Sequence, residues 1–420
     1  TGITGNVFNP SSAGVGSFVL TYTYGAGTCL SIDSIIAKVN ALPSVTVNSQ
    51  TICFGQPVTL TAYGADSYLW STGQTTNPMT VYPTITTTYT VTGSNTSTGC
   101  TSSAIAAVTV NPTPNVTTSS PTTICSGTAT NIVLNSNVTG TTYSWTVGPI
   151  TGGISGATSS SGSTIIQTLT NPGTTAGTVM YIVTPSANGC PGIPTNILVT
   201  VNPAPNVTTT SPTTICSGDT TNIVLNSNVS GTTFSWTIGT ITGGITGASA
   251  SSGSSISQTL TNPGTTAGTV TYIVTPSASA CPGIPINVVI TINPSPNVAT
   301  TSPTTICSGD TTNIVLNSNV AGATFSWTIG TITGGITGAS ASSGSIISQT
   351  LDNPGTTAGT VTYIVTSSAN SCPGAATNIV VTVNPTPNVT TSSPTTICSG
   401  DPTNIVLNSN VTGTTYSWTV

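Results

Sequence analysis

The sequence predicts an all-β protein in which antiparallel β-sandwich domains follow one another in a linear array. Three observations lead to this prediction. The chain of 420 residues has an internal repeat of 91 residues, apolar and polar residues alternate with a period of two, and each repeat carries two cysteines and a tryptophan. A fixed internal period of this length is typical of an array of similar domains.

Three features mark the 91-residue repeat: a first cysteine in Ile-Cys-Ser-Gly, a tryptophan after it, and a second cysteine in Cys-Pro-Gly. The first cysteines are Cys125, Cys216, Cys307 and Cys398. The tryptophans are Trp145, Trp236, Trp327 and Trp418. The second cysteines are Cys190, Cys281 and Cys372. A shorter segment upstream has the same order of features, with Cys53, Trp70 and Cys100.

The repeats predict six segments. They are a partial domain (its C-terminal half) at 1–43, a short domain at 44–112, three full repeats at 113–203, 204–294 and 295–385, and the N-terminal part of a further repeat at 386–420. The connector Asn-Pro-x-Pro-Asn-Val, as at 202–207, has two prolines in four residues and should be stiff and extended. Because both ends fall inside a domain, we expect the sequence to be part of a longer protein.

Within a repeat, short β-strands are predicted by alternation. In the first full repeat the residues expected to face inward are Tyr143, Trp145 and Val147, then Val179, Tyr181 and Val183, then Ile197, Val199 and Val201. Turn motifs such as Asn-Pro-Gly, Cys-Pro-Gly and a Gly/Ser-rich stretch at 152–163 separate these runs. About seven short strands with one tryptophan and two cysteines favour an antiparallel sandwich, and helix signals are absent.

The recurring cysteine pair predicts one disulfide inside each domain. The expected pairs are Cys53–Cys100, Cys125–Cys190, Cys216–Cys281 and Cys307–Cys372, although other connectivities remain open. Cys29 and Cys398 are expected to be unpaired, as an effect of the cut ends. A loop of this size would stabilise a domain by about 4 kcal/mol. Persistent disulfides need an oxidising compartment, so we expect the protein to be extracellular.

Composition excludes several classes of function. The chain has no His, Glu or Arg, and Lys38 is its single basic side chain beside six aspartates. General acid–base catalysis needs a group that titrates near the working pH, so we expect no enzyme. Metal sites and cofactors are not expected, and one lysine cannot neutralise nucleic-acid phosphates. No stretch of about 18 apolar residues predicts a span of a membrane.

Several motifs resemble a known family. The strings at 215–219 (Ile-Cys-Ser-Gly-Asp), 234–237 (Phe-Ser-Trp-Thr), 268–274 (Gly-Thr-Val-Thr-Tyr-Ile-Val) and 280–283 (Ala-Cys-Pro-Gly) resemble the PKD-like and immunoglobulin-like (Ig-like) repeats of large Bacteroidota surface proteins. Residues 7–16 resemble another repeat of the same proteins. The resemblance implies Ig-like domains at 1–43 and 44–112 and PKD-like repeats thereafter. It also implies export by the type IX system and a role as a gliding adhesin, surface fibre or capture appendage. The Gly-Asp-Gly that follows the tryptophan in ordinary PKD domains is missing.

Candidate sites have simpler interpretations. The aspartates after Cys-Ser-Gly, such as Asp219, are expected to be turn residues and not calcium ligands. The tryptophans are expected to be core residues and not sugar platforms: Trp70, Trp145, Trp236, Trp327 and Trp418. The Asp-Ser/Thr-x motifs resemble Bacteroidota O-glycosylation sites, with candidate acceptors Ser34, Thr220 and Thr311.

The favoured function is therefore a structural or adhesive extracellular fibre at the cell surface, used in attachment, gliding or capture of other cells. Near-identical repeats suit a role in which length matters. A neutral surface rich in Thr, Ser and Asn favours side-by-side self-association into a multi-stranded fibre over a single stalk. A cell-surface or glycan target would lie outside these residues. The alternatives are a spacer or carbohydrate-binding array of a larger secreted enzyme, and a sheath lattice.

Overall fold

The structure, a computed structural model, describes residues 2–4, 6–118, 122–210, 213–300, 304–392 and 396–419. It is almost entirely β, which confirms the predicted fold class of tandem antiparallel sandwiches. The chain divides into two compact units, Thr1–Asn202 and Pro203–Val420, and each is described by itself.

The described part of residues 1–43 contains two pairs of antiparallel strands and one helical turn. The elements are β1 (Ile3–Thr4), β2 (Val7–Phe8), α1 (Pro10–Ala13), β3 (Gly16–Ala26) and β4 (Cys29–Val39). The four-residue helix was not predicted. Asn9 caps it by accepting a hydrogen bond from the Ser11 amide, and Pro10 stands at its first position, where a missing N–H costs nothing.

The short domain has its core between two layers of strands. Its strands are β5 (Thr46–Val47), β6 (Gln50–Cys53), β7 (Val58–Leu60), β8 (Ala62–Tyr63), β9 (Ser67–Trp70), β10 (Met79–Val81), β11 (Thr87–Ser94) and β12 (Thr101–Asn111). The sheet β6-β12-β11-β9 faces the pairs β7–β10 and β5–β8. Trp70, Leu60, Met79 and Val91 lie at the centre and are almost completely buried.

The described residues of the first full repeat form eleven strands. They are β13 (Thr117–Thr118), β14 (Thr123–Cys125), β15 (Thr128–Ala129), β16 (Ile132–Asn135), β17 (Thr142–Ile150), β18 (Ser160–Ser161), β19 (Thr164–Ile165), β20 (Thr168–Leu169), β21 (Gly177–Ala187), β22 (Cys190–Pro191) and β23 (Thr195–Asn202). One sheet has the order β14-β23-β21-β17-β18, with β22 beside β21, and it packs on the sheet β13-β16-β19.

The next two repeats have the same two sheets, with isolated bridges in place of the β15–β20 pair. The second repeat contains β24 (Thr208–Thr210), β25 (Thr214–Cys216), β26 (Ile223–Asn226), β27 (Thr233–Ile241), β28 (Ser251–Ser252), β29 (Ser255–Ile256), β30 (Gly268–Ala278), β31 (Cys281–Pro282) and β32 (Ile286–Asn293). The third contains β33 (Ala299–Thr300), β34 (Thr305–Cys307), β35 (Ile314–Asn317), β36 (Thr324–Ile332), β37 (Ser342–Ser343), β38 (Ile346–Ile347), β39 (Gly359–Ala369), β40 (Cys372–Pro373) and β41 (Thr377–Asn384). Each repeat has its own apolar core.

The alternation predicted from sequence is the alternation observed. Val179, Tyr181 and Val183 on β21 are fully buried, and β23 buries Ile197, Val199 and Val201. In β17, Tyr143 and Trp145 face inward as predicted, and Val147 is half-buried. The side-chain period of a strand places these residues on one face, where they meet the opposite sheet.

Four of the five tryptophans are core residues, as predicted. Trp70, Trp145, Trp236 and Trp327 are at most 5% exposed, and each indole N–H donates to a backbone oxygen at 3.1 Å. The acceptors are the carbonyls of Thr76, Thr158, Ser249 and Ser340.

The prediction was wrong for Trp418, which is 76% exposed. Beyond residue 385 the described residues form only the pair β42 (Thr390–Ser392) and β43 (Val406–Asn408). In the full repeats the tryptophan strand pairs with the long strand of its repeat, as Trp236 does with Val274. Trp418 has no such strand beside it among the described residues, so most of its ring is left exposed.

Candidate functional site

The first cysteine of each repeat lies beside the end of that repeat's last strand. In the second repeat, β25 runs parallel to β32 and places Cys216 opposite Asn293, the last residue of β32 and the first of the connector. The Ser217 amide donates to the Asn293 carbonyl at 2.9 Å. Asp219 closes the turn that follows, because its Oδ2 accepts from the Cys216 amide at 3.1 Å and its own amide donates to the Cys216 carbonyl. This is the turn role that the sequence predicted for Asp219.

The second cysteine follows a tight hairpin turn at the opposite end of the domain. In the third repeat, β39 and β40 are joined through Asn370 and Ser371, whose φ angles are 50° and 64°. A two-residue hairpin with both central residues in the left-handed region matches the twist of its strands. Cys372 follows this turn, opposite Ala369, and is 1% exposed.

The strand length between the two positions excludes a bond inside one repeat. In the second repeat, the Cys216 end of the sheet is level with Gly268, and Cys281 pairs with Ala278 at the other end of β30. The 11 residues of β30 place these ends about 33 Å apart at 3.3 Å per residue. A disulfide requires Cα atoms within about 7 Å.

The disulfides instead join neighbouring domains. Cys53 of the short domain is bonded to Cys190 of the first full repeat, with a Cα–Cα distance of 5.5 Å. Cys216 of the second repeat is bonded to Cys372 of the third, at 5.4 Å. Cys125 and Cys281 are also disulfide-bonded.

The predicted intradomain pairing was therefore wrong. The bonds expected as Cys53–Cys100, Cys125–Cys190, Cys216–Cys281 and Cys307–Cys372 do not form, because the two cysteines of one domain lie at opposite ends of its sheet. Cys29 and Cys398 are free thiols, as predicted, but Cys100 and Cys307 are free as well.

Hydrogen bonds hold the connector against the same hairpin. Asn293 donates from Nδ2 to the Asn370 carbonyl at 3.4 Å, and Ser295 Oγ donates to the Pro373 carbonyl at 3.1 Å. The equivalent bond between the short domain and the first repeat runs from Asn111 Nδ2 to the Asn188 carbonyl at 3.2 Å. The junction between domains is thus fixed by three connections: the backbone, a disulfide and side-chain hydrogen bonds.

The glycine of Cys-Pro-Gly is required by the connector. A Cβ on Gly374 would collide with the carbonyl oxygen of Pro296, and the equivalent Gly192 is blocked in the same way by Pro114. The buried Ser367 Oγ donates to that Pro296 oxygen at 2.9 Å. The connector therefore packs directly on the backbone of the hairpin that carries the second cysteine.

A reciprocal asparagine pair fixes the chain as it leaves the connector. The Asn297 amide donates to Asn319 Oδ1 at 2.9 Å, and the Asn319 amide donates to Asn297 Oδ1 at 2.8 Å. The same pair occurs in the second repeat between Asn206 and Asn228. The sequence did not predict the pairing of these asparagines, although their 91-residue recurrence was a visible signal.

The candidate glycosylation acceptors are accessible. Ser34 is exposed on β4, next to Asp33, whose pKa is lowered by a hydrogen bond from Tyr22 Oη and by the Ser34 amide. Thr220 and Thr311 are exposed, and their hydroxyls lie 3.1 Å from Thr259 Oγ1 and 3.3 Å from Thr350 Oγ1. Their modification stays a prediction.

The described residues contain no group of three or more His, Cys, Asp or Glu side chains that could hold a metal ion. Every aromatic residue of the three full repeats is buried, which leaves no exposed ring in residues 113–385 for stacking on a sugar. Within the described part of the chain, no helix has the length and apolarity needed to cross a membrane.

A family model described as "PKD-like domain" matches residues 122–205, 213–296 and 304–387. Among curated proteins, none matches the chain in sequence. Solved structures similar to the chain include the I-band fragment I67–I69 from titin (11% identity, 60% of this chain and 98% of that chain, TM-score 0.32). Others are the N-terminal eight Ig domains of Down syndrome cell adhesion molecule (11%, 87% and 52%, 0.31) and Drosophila N-cadherin EC1-4 (11%, 81% and 99%, 0.24).

Proposed function

Because the chain belongs to the PKD-like domain family, we propose that it is a structural and adhesive element of an extracellular fibre at the cell surface. The fibre would serve attachment, gliding or capture of other cells. The repeats would be units of 91 residues with the boundaries predicted from sequence, and they would hold a distal target-binding part away from the cell. The motif resemblance supports an origin among Bacteroidota surface proteins exported by the type IX system.

The observation that carries this proposal is the cross-linked junction. A disulfide between domains contributes no group to a binding pocket or a catalytic centre, but it restricts bending and twisting where the two domains meet. The Cys216–Cys372 bond and the Asn293–Asn370 hydrogen bond act at one junction, beside a connector with two prolines. Such a junction suits a stiff rod and agrees with an oxidising, extracellular location.

Side-by-side self-association is supported by apolar side chains on an outer sheet face. Leu198, Val289 and Val380 occupy the same position in successive repeats and are 45–52% exposed. The strands at the sheet edges, such as β28 and β25, have only two or three residues, which limits edge-to-edge pairing. With one basic and six acidic residues in the chain, little electrostatic repulsion opposes face-to-face packing of copies.

Immunogold electron microscopy with antibodies against residues 113–385 tests the fibre directly. We expect label along surface filaments, and the number of parallel strands distinguishes a bundle from a single stalk. Label restricted to a secreted enzyme would contradict the proposal and support the alternative, a spacer array of that enzyme.

Analytical ultracentrifugation of the 420-residue chain tests the packing face. The triple variant Leu198→Asp/Val289→Asp/Val380→Asp should lower the association constant. The matched control Ser160→Asp/Ser251→Asp/Ser342→Asp puts the same charge on the edge strands and should not. A larger effect of the control would show that copies associate through strand edges.

A further inference from the structure

We propose that the disulfides make the array a tether of nearly fixed length, which cannot lengthen under tension even when its domains unfold. The inference concerns a single chain and does not depend on how fibres assemble. It follows from which cysteines are joined, since a cross-link removes the enclosed residues from the path that carries force.

The two disulfides shorten the covalent path from Cys53 to Cys372. It crosses the first bond to Cys190, follows the backbone to Cys216, and crosses the second bond to Cys372. Residues 54–189 and 217–371 lie outside this path. Only about 26 residues of backbone remain between the two bonds, and fully extended they span about 94 Å.

Without the bonds the same two ends would be joined by about 319 residues, which extend to about 1,150 Å. The two cross-links therefore remove about 1,050 Å of extension. Intradomain bonds, as predicted from sequence, would have left every connector and both ends of every repeat in the path. The pairing of neighbouring domains is what shortens it.

The strands of this remaining backbone have little slack. Its described elements are strands, with eight residues in β23 and three each in β24 and β25. A strand rises 3.2–3.4 Å per residue, against a limit of 3.3–3.6 Å for the extended chain. Pro203 and Pro205 in the connector hold φ near the extended value. These strand residues can therefore lengthen by only about a tenth before they are fully extended.

One sulfur of each bond is shielded from solvent reductants, whereas its partner, Cys53 or Cys216, is only partly buried. Cys190 is 2% exposed and Cys372 is 1% exposed, and the hairpins that carry them are covered by the neighbouring domain's connector. Thiol exchange requires an approach to sulfur, so burial slows attack at Cys190 and Cys372 in the folded chain. The tether thus keeps its length as long as these two bonds are not reduced.

Single-molecule force spectroscopy of the 420-residue chain, held at both ends, tests the inference. The oxidised protein should extend only through residues outside the Cys53–Cys372 segment. Addition of a strong reductant should add about 1,050 Å in total, in steps of about 290 Å for each 91-residue repeat. Steps of that size in the oxidised protein would overturn the inference.

Two variants sharpen the test. Cys216→Ser/Cys372→Ser should lengthen the oxidised chain on the order of 500 Å, because one shortcut is lost. The control Cys29→Ser/Cys398→Ser removes two thiols that are already free and should leave the length unchanged. Contour length depends only on covalent connections, so the comparison requires that Cys53 and Cys190 are still bonded in the variant, which mass spectrometry checks. Equal lengths for the two variants would refute the proposed path.

Discussion

Replacement of Cys216 by serine should destabilise two repeats and release a thiol in the neighbouring one. The Cys216–Cys372 bond closes a loop with a sequence separation of 156 residues. In the chain-entropy model such a loop stabilises the folded state by about 5 kcal/mol. Cys216→Ser and Cys372→Ser should each lower the free energy of unfolding in urea by about this amount, and the double variant should lose no more than either single one.

The assay also identifies the partner. After alkylation of the denatured Cys216→Ser chain and proteolysis, mass spectrometry should find new label on Cys372. Label on Cys281 would mean that the bond lies inside one repeat and would refute the structural reasoning. Cys307→Ser is the matched control, because Cys307 stands in the same Ile-Cys-Ser-Gly-Asp string but is a free thiol. Its effect should stay within about 0.5 kcal/mol.

Three further predictions concern the core, the connector and pH. Asn262→Ala should lower the free energy of unfolding in urea by about 2–4 kcal/mol. The buried Asn262 amide donates to the carbonyls of Thr266 and Ile292, and its Oδ1 accepts from the Gly264 amide. A decrease below about 0.5 kcal/mol would contradict this prediction. Gly374→Ala should displace the connector from the hairpin and break the hydrogen bond from Ser367 to Pro296, which should lower the free energy of unfolding by about 2–5 kcal/mol. The control Gly322→Ala has open space around its Cβ and should lower it by about 1 kcal/mol because of the positive φ at this position. Burial raises the pKa of Tyr181, Tyr272 and Tyr363 to about 12. Their contribution to stability is therefore complete below pH 10 and is lost as the pH rises towards 12. Tyrosinate absorbance of the Tyr→Phe variants should assign the ionisation near pH 12 to these residues, and their ionisation near pH 10 would contradict the prediction.

The sandwich itself was predictable because the alternation of apolar and polar residues along a strand shows which face is buried. Val179, Tyr181 and Val183 face the core for the reason that made them visible in the sequence, namely a side-chain period of two. The tryptophans and the Asp219 turn followed from equally local rules. Trp418 shows the limit of such rules, since its burial depends on a strand that does not lie beside it among the described residues.

The junction was less predictable because its contacts join residues far apart in sequence. Asn293 and Asn370 meet only when one domain's last strand abuts the next domain's hairpin. Gly374 was visible as part of a turn motif, but not as the place where the Pro296 carbonyl approaches. Neither residue carries a pattern that identifies its partner.

The disulfide pairing could have been derived with one additional step. A period of 91 residues is satisfied equally by bonds within repeats and by bonds between neighbours, because both use one first and one second cysteine per repeat. Strand length separates the two cases. The first cysteine shares an end of the sheet with the closing Asn-Pro, and the second follows an 11-residue strand that runs away from that end. Two residues separated by a whole strand, about 33 Å, cannot share a disulfide, so a repeated cysteine pair at opposite ends of a sandwich predicts bonds between domains.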